Sequence, residues 1–184
     1  VGWENQAGLI STVDIVTEAT PMAAMHQRVM PDVSLWDMFL GNVGGCVGET
    51  SAVLLLIGLA YLLIRNVISI RIPLAYVGTV AVLTFLFPMG NDRLAWMGAQ
   101  VFGGGLMLGA IFMATDYVTS PMTAKGQLVY GVCIGLLTVI IRNWGAYPEG
   151  ISFAILIMNA FTPLINTYCK PKRFGEVIGK EEKK

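Results

Sequence analysis

Five long apolar runs, at residues 44–64, 72–88, 94–115, 127–141 and 150–167, leave this chain few ways to fold. A hydrocarbon core about 30 Å thick takes about 20 residues of helix to cross, and several runs reach that length. The shorter ones cross with the help of protein neighbours or interfacial ends. None shows the sustained two-residue alternation of a membrane β-barrel. Composition agrees, since 55% of the 184 residues are hydrophobic and only 13% charged, where soluble domains approach a quarter charged. The expected fold is an all-α integral membrane protein with about five transmembrane helices.

Charge divides the chain further. Residues 1–43 mix Trp3, Met22, Met25, Trp36 and Phe39 with Glu4, Asp14, Glu18, Asp32 and Asp37, the character of a segment on a membrane surface or against partner subunits. Residues 44–169 form the five-helix membrane domain, and residues 170–184 a basic tail holding six of the twelve Lys and Arg. With that tail in the cytoplasm, Arg65, Arg71, Lys125 and the tail set nine basic residues inside against Arg28, Arg93 and Arg142 outside, as the positive-inside rule asks. Residues 1–43 then lie on the outer face of the cell's inner membrane, with Trp96 and Trp144 at outer interfaces. The chain opens at Val1, without an initiator Met or a signal-like start, and reads as the later part of a longer protein.

Glycine and acid placement suggest sites. Gly44-x-x-x-Gly48, Gly105-x-x-x-Gly109 and Gly131-x-x-x-Gly135 put small residues on one helix face for close packing. The run from Gly41 to Gly48 also leads straight into Glu49-Thr50-Ser51, as a broken helix or tight turn at membrane depth would. Asn143-Trp144-Gly145 ahead of Glu149 echoes Asn42-Val43-Gly44 ahead of Glu49. Carboxylates on apolar segments are costly, so Glu49, Glu149 and Asp116 are candidates for an ion pathway, with helix or turn capping as the ordinary alternative. Cys46, Cys133 and Cys169 are far apart and His26 is the only histidine. These cannot complete a metal or iron–sulfur site alone, so no metal is expected. There is no GxGxxG turn or Walker loop, and no nucleic-acid partner is expected.

One polar stretch stands ahead of the first apolar run: Asp14-Ile15-Val16-Thr17-Glu18-Ala19-Thr20-Pro21. Proline suits the first turn of a helix and pushes its predecessor out of the α region. Thr20 is thus expected as an N-cap and Pro21 as the start of a short helix through residues 22–29, stopped by Pro31. A phosphate ester on the Thr20 hydroxyl would sit in the field of that helix start, although on these residues alone plain capping is the ordinary and preferred reading of Thr-Pro.

The pattern Asp14-x-x-Thr17-x-Ala19-Thr20 resembles the flavinylation signature of the RnfD/NqrB family, which comprises RnfD of the Rnf complex and the related NqrB of the Na⁺-pumping NADH:quinone oxidoreductase. Glu18 stands where that family has Gly. Gly44-Gly45-Cys46-Val47-Gly48-Glu49-Thr50-Ser51, Met113-Ala114-Thr115-Asp116 with Thr119-Ser120-Pro121-Met122-Thr123, and Ala146-Tyr147-Pro148-Glu149-Gly150 resemble further family signatures in the same order. The resemblance implies FMN bound covalently through its phosphate to Thr20, in a segment that includes Asp14, Thr17 and Ala19. It also implies a second, non-covalent flavin, for which the turn with Gly44, Gly48, Thr50 and Ser51 is the candidate place. The chain would then be the C-terminal half of a longer, repeat-built subunit. It would relay electrons in a ferredoxin:NAD⁺ oxidoreductase that moves Na⁺ or H⁺, not catalytic alone. Expected partners are the other subunits, including a second covalent-flavin subunit and iron–sulfur subunits, a flavin transferase and the lipid bilayer. A non-redox channel or transporter, built on glycine breaks and intramembrane carboxylates, is the alternative; the Asp14–Thr20 motif is what it does not explain.

Overall fold

The computed structural model describes residues 21–28, 34–42, 48, 51–90 and 92–169, and among these every regular element is helical. Two short helices, α1 (Pro21–His26) and α2 (Leu35–Leu40), precede α3 (Ala52–Ile64) and α4 (Arg71–Leu86). Next come α5 (Arg93–Phe102), α6 (Leu106–Leu108) running on as a π-helical turn (Gly109–Met113), α7 (Ala124–Trp144) and α8 (Ile151–Tyr168). Each of the five apolar runs therefore contains helix.

Three boundaries differ from expectation, each for a local reason. The helix after Thr20 ends at His26, and Arg28 turns left-handed at φ 62°. In the first apolar run α3 starts at Ala52, where Ser51 Oγ accepts the Leu54 N–H at 3.4 Å as an N-cap. The run at 94–115 is not one helix. Gly103-Gly104-Gly105 interrupts it, with Gly104 at φ 62°, and its two pieces meet at a bend of 59°. Successive residues without Cβ make a left-handed break cheap where another side chain would strain it.

α7 and α8 are long and apolar enough to cross a membrane, and the bent pair makes a third span if counted as one. α3 and α4 are apolar but hold 13 and 16 residues, about 20 and 24 Å of helix.

Packing is densest where α7 meets α4. A Cβ on Gly131 would lie 2.8 Å from Ala75 Cβ and 3.0 Å from Ile72 O, and one on Gly135 2.8 Å from Thr79 Cβ and 3.0 Å from Tyr76 O. This glycine pair thus performs the packing role its spacing suggests, letting two backbones touch where lipid offers no hydrophobic drive. The close approach buries Tyr76, whose hydroxyl pairs with Thr138 Oγ1 at 2.9 Å, and Tyr130, whose hydroxyl donates to Asn159 Oδ1 on α8. Tyr76, Ile134, Leu106, Ala110 and Ala154 lie among the buried residues of this main core. A smaller cluster, Met22, Met25, Met38, Trp96 and Ala99, fastens α1 and α2 to α5. Trp96 is fully buried there, where an interfacial ring was expected; Trp144 is exposed.

Candidate functional site

The site is assembled at the end of the bundle where α5 breaks and α7 gives way to α8. A helix leaves its last carbonyls without intrahelical donors, and at the end of α5 those of Gln100 and Gly103 meet Arg142, two residues before the end of α7. Arg142 Nη1 donates to Gln100 O at 2.7 Å and Gln100 Oε1 at 3.0 Å, and Nη2 to Gly103 O at 3.4 Å. Its Nε donates to Glu149 O, in the α7–α8 connection, at 3.3 Å. Arg142 and Gln100 are each only 3% exposed. The guanidinium suits this task, because five donors in a planar fork can serve acceptors in several directions at once.

α1 is seated on the same structure. The glycine break leaves a notch for Met22: a methyl group at Gly104 would come within 2.9 Å of Met22 Cγ and 3.1 Å of Glu149 Oε1, and one at Gly103 within 3.1 Å of Met22 Sδ. At the other end of α1, His26 Nδ1 lies 3.1 Å from Arg142 O. A carbonyl only accepts, so this nitrogen carries the proton. Two buried donors at this end, Trp96 Nε1 and Asn143 Nδ2, have no hydrogen-bond partner among the described residues.

Of the residues singled out in the sequence, Asp14, Thr17, Ala19, Thr20, Gly44, Glu49 and Thr50 lie outside the described residues. Gly48 is exposed at φ 94°, and Ser51 caps α3. Glu149 is half-buried beside the glycine break. Asp116 is exposed at the opposite end of α7, in a turn where its Oδ2 accepts from Thr119 Oγ1 at 3.1 Å. Glu149 is thus brought to α1 and Asp116 is not. Among the described residues no group of three or more His, Cys, Asp and Glu is placed to hold a metal.

Arg142 and Gln100 were missed. In the sequence Arg142 counted only as one of three outer charges, yet it is buried and leaves two exposed ones, Arg28 and Arg93. The signal was present: an ionisable residue on an apolar helix points to a site whatever its sign.

Residues 1–175 match the family described as the NQR2, RnfD, RnfE family. The chain is 45% identical to the D subunit of the Na⁺-translocating ferredoxin:NAD⁺ oxidoreductase complex of Acetobacterium woodii, over all of this chain and 57% of that protein. It is 43% identical to the D subunit of the proton-translocating ferredoxin:NAD⁺ oxidoreductase complex of Clostridium ljungdahlii, over 90% of this chain and 53% of that protein. It is 41% identical to the B subunit of the Na⁺-translocating NADH-quinone reductase of Chromohalobacter salexigens, over 84% and 40%. The chain spans about half the length of the curated relatives it matches. On this similarity across nearly its whole length, the chain belongs to the NQR2, RnfD, RnfE family of membrane proteins.

Proposed function

We propose that this chain is part of the membrane subunit of an Rnf-type ferredoxin:NAD⁺ oxidoreductase, and that it carries FMN as a phosphoester on Thr20. The observation that carries the reading is positional. The motif from Asp14 to Thr20 ends on the residue before α1, and α1 is fastened by Met22 to the broken helix and by His26 to the end of α7. A threonine hydroxyl is chemically competent for the ester. Bound there, FMN would supply reversible electron relay between redox centres on other subunits. The chain's own part is to anchor α1, to keep water from the methionine cluster beneath it, and to neutralise the carbonyl end of α5 with Arg142.

The same reading takes α3, α4, the bent α5–α6 pair, α7 and α8 as five crossings, with α1 on the outer face and the C-terminus in the cytoplasm. Glu49, Glu149 and Asp116 are its candidates for coupling to Na⁺ or H⁺, and the turn around Gly48 its candidate place for a second, non-covalent flavin.

The test is whether the full-length protein, made with its flavin transferase, fluoresces as a flavin after denaturing electrophoresis. Fluorescence lost in Thr20→Val supports the reading. A dark wild-type band defeats it and favours the non-redox transporter, for which the 59° break and buried Arg142 would serve.

A further inference from the structure

A six-residue helix does not hold itself in place. Closing its first turn fixes several dihedrals for one hydrogen bond, so an isolated helix of this length is unstable in water. The position of α1 is therefore set by what it touches. Met22 fills the notch over Gly103 and Gly104 at one end, and His26 donates from Nδ1 to Arg142 O at the other. Arg142 is in turn tied to the last carbonyls of α5, to the break and to the α7–α8 connection.

We infer that His26 and Arg142 are positioning residues for the group attached at Thr20, acting on it through the seat of α1. The inference rests on the proposed attachment and adds how that attachment is oriented. Thr20 is next to the first residue of α1 in the chain, so rotation or lifting of α1 displaces whatever Thr20 carries. Arg142 keeps the platform in one piece, because the three carbonyls and one side-chain oxygen it serves belong to α5, to the glycine break and to the connection into α8. A lysine presents its donors from a single atom and cannot serve these separate directions together. His26 has the narrower role of holding α1 down on that platform.

The test uses the full-length protein purified in detergent after production with its flavin transferase, as wild type, His26→Ala, His26→Gln and Arg142→Lys. Gel fluorescence of the denatured chain reports attachment; fluorescence anisotropy and the midpoint potential of the flavin in the folded protein report its position. The expected result is that His26→Ala and Arg142→Lys keep the covalent flavin. Their anisotropy falls towards that of the same flavin on proteolysed chain, and their potential moves away from wild type. His26→Gln, whose amide can still donate, recovers the wild-type values. Full attachment with unchanged anisotropy and potential in both His26→Ala and Arg142→Lys overturns the inference. Should Arg142→Lys fail to fold, His26→Ala decides alone, since it removes one hydrogen bond from a half-buried side chain. A wild-type chain without covalent flavin defeats the attachment itself, and the inference with it.

Discussion

Arg142 Nη1 reaches both oxygens of Gln100, the backbone carbonyl at 2.7 Å and Oε1 at 3.0 Å, so α7 clasps the last turn of α5 just before the chain breaks. Hydrogen bonds to charged groups contribute about 1.5–3 kcal/mol each, and here they hold a bend that three adjacent glycines would otherwise leave loose.

Gly104→Ala is expected to lift α1 from the break. A non-glycine residue in the left-handed region costs about 1–2 kcal/mol, and the added methyl would also press within 2.9 Å of Met22 Cγ. The protein should still insert, while limited proteolysis cuts near α1 faster than in wild type. Unchanged cleavage would mean that Met22 does not depend on the notch.

Gly135→Val is expected to force α4 and α7 apart, since its Cβ alone would sit 2.8 Å from Thr79 Cβ. Overpacking of this kind costs about 1–3 kcal/mol, visible as a lower thermal unfolding midpoint in detergent. Gly78→Val, where nothing lies within 4 Å of an added Cβ, is the control and should change little.

Tyr76→Phe removes the hydroxyl paired with Thr138. Hydrogen bonds between membrane helices average about 0.6 kcal/mol. The midpoint should therefore drop less than for Gly135→Val, and a larger drop would show that the α4–α7 seam relies on polar pairing over close approach.

Glu149→Gln addresses coupling. The carboxylate lies beside the glycine break, and in the assembled complex its neutralisation should lower ion movement per electron while covalent flavin content stays at wild type. Equal coupling in the variant would leave Glu149 a purely structural residue of the α7–α8 connection.

The all-helical, apolar character was legible in the chain because its strongest signals are physical and additive. Long apolar runs place helices wherever water is excluded, and Gly131-x-x-x-Gly135 pointed correctly to a close helix pair. What escaped reading depends on single residues acting through space. Gly103-Gly104-Gly105 sits inside an apolar run, and hydropathy alone does not distinguish a break from a packing face. Trp96 went to the methionine cluster because α2 and α1 cover that side of α5, which no local pattern discloses. Arg142 was read by its charge when its burial mattered more. Its partners are mostly backbone carbonyls, and backbone carries no sequence signal.

The notch at Gly131 and Gly135 has a mechanical consequence. Ala75 and Thr79 are keyed into it at contact distance, so sliding α4 along α7, or rolling one about the other, would drive side chains into backbone. The two helices form one stiff beam, and compliance must come from elsewhere in the bundle. The three glycines at the end of α5 do not supply it while Arg142 ties them to α7, so the platform beneath α1 moves with the beam.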